Sequence, residues 1–400
     1  METDSDVRRI FPRKKGIGIF IWESKEMENL LLQVFQWLHR HPELALQEYG
    51  TTEYLRKILL DRGVRLLDTG LETGLIAEIG TGRSPVIALR ADLDALPVQE
   101  QTNLPYASET PGVMHACGHD FHASCMLGAA LLLKEHEASL PGTVRVIFQP
   151  SEEINDGSAR MLRTGLLDDV QLFFAGHTDP MYQAGTLGIR PGPVMAAADR
   201  FLIGIKGKGA HAAHPELSVD PIPALGAIIS AVQTIVSRRL SPSDSAVVSV
   251  TRVEAGKTWN VIPETAVLEG TVRSMTRSVR DSIQQSLELL VSATAEAYGC
   301  EASFEYERGP APVTNDPEAC ARAAALARKL GLRVEVNPSS MIAEDFSCYL
   351  EKAPGAMLRI GTGGGFDNHH PCFTADPAAL MPAARFFAAL AEQELARLVS

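Results

Sequence analysis

From Met27 the chain shows a readable alternation: MENLLLQVFQWLHRH repeats apolar residues at the three-to-four spacing of an amphipathic helix. HPELALQEYG follows, punctuated by Pro42 and Gly50, and a second helix is predicted to run to about residue 61. From GLIAEIG onward, short β-rich runs alternate with helical ones. VIALRADLDALP reads as a buried strand ending at Pro97, TVRVIFQP as a second and QLFFAGHTDP as a third. FHASCMLGAALLLKEHEA and ARMLRTGLL read as the helices between them. Strands that are nearly continuous in apolar residues imply a largely parallel sheet covered by helices on both faces.

Near residue 191 the rhythm changes. RFLIGIKGKG reads as a strand, DPIPALGAIISAVQTIVSRRL as a helix, and AVVSVTRVEAG with TAVLEGTVRS as a strand pair. RSVRDSIQQSLELLVSATAEAYG is a long helix and ASFEYERG a last strand, giving the βαββαβ order of the ferredoxin-like split motif. The α/β rhythm returns with CARAAALARKLGL, AMLRIG and a terminal helix over 377–399. The pattern predicts an α/β protein in which a mainly parallel-sheet catalytic domain (27–190 and 311–400) is interrupted by a ferredoxin-like lid and dimerisation domain (191–310). Residues 1–26 form an N-terminal extension whose apolar run, GIGIFIW, is too short to span a bilayer. No other run is expected to reach transmembrane length.

The formal net charge of −12 argues against a nucleic-acid partner, whose binding would need cations to neutralise phosphates. The six cysteines, at 117, 125, 300, 320, 348 and 372, form no CxxC pair, which fits a reducing compartment and predicts a cytoplasmic location.

The chemistry collects at predicted strand ends, where open α/β sheets bind ligands. RADLDALP supplies Asp92 and Asp94, HACGHDFH three histidines with Cys117 and Asp120, FQPSEE the adjacent Glu152 and Glu153, AGHTDP His177, and FDNHHPCF His369 and His370. Eight of the eleven histidines fall in such knots or in GAHAAHP. Thiolate, imidazole and carboxylate together are the ligand set of zinc and neighbouring transition metals. A cysteine nucleophile would leave Glu152, Glu153 and His177 without a task, and a structural zinc would use a closed set at short spacing. Asp94 is placed to orient a ligand histidine. Asp120 reads equally as such a support or as a helix N-cap.

These motifs resemble, in order, the amidohydrolase branch of the aminoacylase and carboxypeptidase G superfamily of metallohydrolases. That branch includes hippurate hydrolase, N-acetyldiaminopimelate deacetylase and plant auxin-conjugate hydrolases. HACGHDFHASCMLGAA, FQPSEE, GKGAHAAHP, VDPI, WNVIPETAVLEGTVRS and AEDF carry the resemblance, which covers nearly the whole chain after Met27. It implies two divalent metal ions (zinc, manganese, nickel or cobalt) held by Cys117, His119, Glu153, His177 and His369, with Glu152 as general base. It also implies that His211 serves the oxyanion from the site of the other subunit in a homodimer, and that Asn260 and Arg273 contact a free carboxylate. The activity implied is hydrolysis of an N-acyl amino acid amide, acetyl first and aromatic acyl next. A dipeptidase or a non-catalytic metal-binding relative is the alternative. Two departures from the family pattern, Phe121 and Ile342, are expected to add bulk near the site.

Overall fold

The structure, a computed structural model, describes residues 25–400. The expectation for the N-terminal extension therefore lies outside the described residues, except that Lys25 and Glu26 belong to the first helix. Helices α1 (Lys25–Arg40) and α2 (Tyr49–Asp61) lead into strands β1 (Arg65–Leu67), β2 (Leu75–Gly80) and β3 (Val86–Asp92). The chain continues through α3 (His119–Glu135), β4 (Thr143–Gln149), α4 (Gly157–Arg163), β5 (Leu172–Asp179), β6 (Thr186–Gly188) and β7 (Gly192–Met195). An inserted stretch follows: β8 (Ala197–Lys206), β9 (Ala210–His211), α5 (Pro221–Thr234), β10 (Ala246–Ala255), β11 (Val261–Ile262), β12 (Thr265–Ser274), α6 (Arg277–Ala297) and β13 (Glu301–Arg308). The remaining elements are β14 (Val313–Asn315), α7 (Pro317–Lys329), β15 (Arg333–Glu335), α8 (Ser347–Leu350), β16 (Gly355–Gly361) and α9 (Leu380–Val399).

Eight strands form the larger sheet, in the order β1-β2-β4-β3-β5-β16-β6-β15. Its four central strands, β4, β3, β5 and β16, are parallel. The antiparallel pairings β1–β2, β2–β4 and β6–β16 make the flanks mixed. The two-residue period of a strand sorts its side chains to two cores. Ile87, Leu89 and Ala91 face α1, α3 and α9, whereas Val86 and Ala88 face the layer holding Met161, Phe346 and Tyr349. Helix α3 is buried almost along its whole length, from His119 to Leu133, because α1 and α9 cover the side that the sheet leaves free.

The inserted stretch forms its own antiparallel sheet, in the order β10-β12-β8-β13. Helices α5 and α6 cover one face and share a separate core with Phe201, Ile203, Leu268 and Val272. The two chains joining this unit to the larger sheet run side by side. Gly309 N–H donates to the Ala198 carbonyl at 3.1 Å, and Asp199 pairs with Arg280 and accepts from the Tyr306 hydroxyl at 2.7 Å. One expectation needs correction: Pro221–Arg239 is long and apolar enough, by composition, to match a membrane span. Its Ala224, Leu225, Ile228, Val232 and Ile235 nevertheless pack into the small core, as in a helix of a globular unit.

Candidate functional site

The carboxyl ends of β3, β4, β5 and β16 lie along one edge of the sheet, and the polar knots follow them there. After β4 the chain turns at Pro150 and places Ser151 at φ 52°, a left-handed conformation that is costly for a residue with a Cβ. The amides of Glu152 and Glu153 then donate to Asp94 Oδ1 and Oδ2 at 3.0 and 2.9 Å. Asp94 Oδ1 also lies 3.3 Å from His119 Nδ1, so the carboxylate that holds the glutamate turn stands beside the imidazole as well. Strand β3 stops at Asp92, so Asp94 reaches this place from the loop and not from the strand.

Before α3, Gly118 adopts φ 82°, and a Cβ there would sit 2.7 Å from Thr178 Oγ1. Glycine lets the Cys117 loop close onto β5, where Thr178 Oγ1 donates to the Cys117 carbonyl at 2.9 Å. His369, also left-handed at φ 69°, donates its amide to the Ala116 carbonyl at 2.7 Å. Asn368 Nδ2 reaches the Cys117 carbonyl at 3.2 Å. The C-terminal loop is thereby fastened to the loop that carries Cys117.

These fastenings bring together donor atoms from four separated segments. Cys117, His119 and His177 form one group and Cys117, Glu153 and His369 another, with the donor atoms of each group within 4.8 Å of one another. Cys117 belongs to both. Its sulfur is 3.6 Å from His177 Nε2, and Glu153 Oε1 is 3.8 Å from His119 Nε2 and 3.4 Å from His369 Nε2. His177 Nδ1–H donates to the Thr178 carbonyl at 2.9 Å, which leaves the Nε2 lone pair facing the cysteine.

The donors fit a pair of cations. His119 Nε2 and Glu153 Oε1 are buried without a hydrogen-bond partner among the described residues, a costly state unless something else binds them. Burial, with the nearby Glu153 charge, pushes the Cys117 thiol up to about 12, so it ionises only beside a cation. Burial first, then Arg359 and His122, holds His177 well below the usual imidazole range, in the neutral form a ligand needs.

Glu152 is 7% exposed and its Oε2 lies 4.0 Å from His119 Nε2. Burial, followed by the charges of Glu344, Asp345 and Glu153, raises its proton affinity well above that of an ordinary carboxylate. Behind it, fully buried Arg90 donates to Asp92 at 2.6 Å, Asp345 at 2.8 Å and Gln149 at 3.0 Å, and lies 3.1 Å from Glu344.

Other residues of the knots have different tasks. His122 Nε2 accepts the Thr178 amide at 2.8 Å, so Nδ1 carries the proton and donates it to Asp92 at 2.6 Å. Both nitrogens are committed, and His122 braces the site without a free lone pair. Gly118, not Asp120, is the N-cap of α3. Asp120 instead accepts from His39 Nδ1 at 2.6 Å. His370 Nδ1 accepts the Cys372 amide, and its ring stacks on Phe366. The expectation that Phe121 crowds the site is overturned: it is fully buried and packs edge-on against Phe35 of α1, on the far side of α3 from His119. Ile342 is 64% exposed.

No hydrogen bond or ion pair joins His211, Asn260 or Arg273 to this cluster among the described residues. His211 lies exposed on β9 opposite Val261 of β11, and its Nδ1 accepts the Ala213 amide. The Asn260 carbonyl accepts from Ala212, on the same projection. Arg273, half-buried on β12, donates to Thr271 Oγ1 and the Val272 carbonyl and has no carboxylate partner among the described residues.

His39 supplies a pH test. Its Nδ1 and Nε2 face Asp120 and Glu100, at 2.6 and 3.3 Å, so both must carry protons. Burial alone would lower its pKa, but the bonds and charges of Asp120 and then Glu100 win and raise it to about 9. Relative to an unfolded value near 6.5, the shift corresponds to about 3 kcal/mol of stability. This contribution is fully present below pH 6.5 and lost as pH rises through 9. In urea unfolding between those limits, His39→Gln should flatten the decline; parallel declines in variant and wild type would refute the assignment.

Comparison with known proteins places the whole arrangement. Residues 88–393 match the profile of Peptidase family M20/M25/M40. An N-acetylcysteine deacetylase of Bacillus subtilis (strain 168) is 46% identical over 370 residues, covering 92% of this chain and 97% of its own. An N-acetyl-L-cysteine deacetylase of the same organism is 43% identical, covering 90% of this chain and 87% of its own. The crystal structure of a B. subtilis dinuclear metal binding peptidase from the M20 family matches at a TM-score of 0.85 and 43% identity, covering 93% of this chain and 99% of that one. The resemblance carried by the motifs is borne out: the chain belongs to Peptidase family M20/M25/M40 and is a hydrolase of that family.

Proposed function

We propose that the protein hydrolyses the amide bond of N-acyl amino acids, N-acetyl compounds first and aromatic acyl compounds next, releasing a carboxylic acid and an amino acid. The observation that carries this reading is the pair of donor groups sharing Cys117, with the buried acid Glu152 beside them. Cys117, His119 and His177 would hold one divalent cation and Cys117, Glu153 and His369 the other, with Cys117 serving both. When bound, such cations polarise an acyl carbonyl and acidify water.

Glu152 takes a proton from the attacking water and delivers it to the nitrogen of the departing amine. Its buried place beside His119 and Glu153 keeps it within reach of both events. Asp94 keeps His119 and the glutamate turn in register during the transfer. Arg273 and Asn260 receive the substrate carboxylate, and the absence of a carboxylate partner for Arg273 among the described residues supports that role. His211 donates to the developing oxyanion from the partner copy of a homodimer built through the 191–310 unit. The deacetylase names of the two Bacillus relatives support the acetyl preference. The mixed sulfur, nitrogen and oxygen donors suit zinc, manganese, nickel or cobalt.

The test is amino-acid release from N-acetyl amino acids, N-benzoyl amino acids and dipeptides by protein reconstituted with each metal. The expected result is two metal ions per chain, turnover of N-acyl substrates that a chelator abolishes, and little turnover of dipeptides. Protein carrying two metal ions that releases nothing from the panel would overturn the reading.

A further inference from the structure

The HPELALQEYG segment turns the chain between α1 and α2, and neither the donor groups nor the proposed chemistry uses it. Within it Glu48 is completely buried, and no cation contacts it among the described residues. Its position at the start of α2 is that of a helix cap, yet its side chain makes no capping hydrogen bond. Glu43 does that work instead, accepting the amides of Gly50 and Thr51 at 2.9 and 2.8 Å. The Glu48 carboxylate is turned away from its own helix. Its Oε1 accepts the Ser151 amide at 2.8 Å and the Leu46 amide at 3.1 Å, while Oε2 has no hydrogen-bond partner among the described residues.

Three successive amides, of Ser151, Glu152 and Glu153, are therefore each held by a buried carboxylate from elsewhere in the chain: Glu48 on the first, Asp94 on the other two. Consecutive amides around a left-handed residue form a concave nest for anions, which here holds fixed side chains. The turn needs such holding. Two adjacent glutamates must serve different partners, one a metal ion and the other water, and the left-handed Ser151 at their head produces the turn that separates them. Without the Glu48 oxygen, the buried Ser151 amide loses its acceptor and the left-handed conformation its fastening.

We infer that Glu48 is a positioning residue of the proposed reaction, which holds Ser151 left-handed so that Glu153 reaches the metal ions while Glu152 faces the water. The inference rests on the roles proposed above for these two glutamates.

The test compares Glu48→Gln, Glu48→Ala and the double variant Glu48→Ala with Ser151→Gly. The readouts are kcat and KM on an N-acetyl amino acid, the visible absorption of the cobalt-substituted protein, and cobalt affinity. Glu48→Ala should lower kcat or metal affinity by about 10- to 100-fold, as loss of a support behind a metal ligand does, with KM little changed and an altered cobalt spectrum. Glu48→Gln should stay near wild type, because its amide oxygen accepts the same hydrogen bond. Glycine accepts a positive φ without strain, so Ser151→Gly should restore part of what Glu48→Ala loses.

A Glu48→Ala protein with lower thermal stability but wild-type kcat, affinity and cobalt spectrum would overturn the inference. So would failure of both Glu48→Ala and the double variant to fold, since the residue would then serve the fold and not the turn. If wild type hydrolyses no N-acyl substrate, the functional reading fails separately, and the cobalt spectrum and affinity still decide the inference about Glu48.

Discussion

Glu152→Gln lowers kcat by about 10³-fold or more, within the range removed with a general acid–base group, and leaves both metal ions in place. The substitution keeps the size of the side chain and the backbone bonds from Glu152 and Glu153 to Asp94, so the turn has no reason to move. On the proposed mechanism, what disappears is the ability to take a proton from water and return it to an amine. Glu153→Gln makes the contrast, because its Oε1 faces His119 and His369 and its loss should appear first as lower metal content. Steady-state kinetics with metal analysis on the same samples separates the two. Should Glu152→Gln keep kcat within tenfold of wild type with two metal ions bound, another group would have to be the base.

Arg90→Met is the second large effect, and it falls on stability. One buried guanidinium serves Asp92, Glu344, Asp345 and Gln149, and methionine fills part of its volume without charge or donors. The three carboxylates would stay buried without their cation, and breaking such a set by removing one partner costs about 3–5 kcal/mol. Urea unfolding should give a loss of this size, and Arg90→Met with Asp345→Asn should lose less than the sum of the single changes, because the two residues touch. Damage would also extend to the site, since Asp92 fixes His122 and His122 accepts from Thr178, next to His177. A loss of 1 kcal/mol or less would mean that the carboxylates are protonated or reached by water.

The polar knots HACGHDFH, FQPSEE and AGHTDP were legible in the sequence because metal chemistry needs unusual side chains, and a parallel sheet gathers them at one edge. The choice of Cys117, His119, Glu153, His177 and His369 within the knots came from the family resemblance. The supports were much less visible. Arg90 meets Asp345 across 255 residues of chain, and no local pattern reports such a meeting. Its one signal was a charge in the middle of VIALRADLD, where the strand is otherwise apolar. Asp120 and Phe121 show a different limit. The sequence places both beside His119, but helix geometry turns them away from its donor atoms and toward α1, Asp120 to His39 and Phe121 to Phe35. The flanking strands β6 and β15 have three residues each, too few for a period to register.

The paired strands that join the two sheets bear on the order in which the protein can fold. Parallel pairing of β5 with β16 sets Phe173 opposite Gly355, contacts separated by about 180 residues of chain. If the four-stranded unit folds first, Ala198 and Gly309 are already joined and the loop left to close is nearer 70 residues, an entropic saving of about 1 kcal/mol. Because the insert has its own core and depends on none of the larger sheet's strands for its pairing, it can form while the β5 edge still waits for its partner. The inserted unit would then act as a splint for the central sheet, and the late step in folding would be the docking of β16 beside β5, the step that also brings the His369 loop to the Cys117 loop.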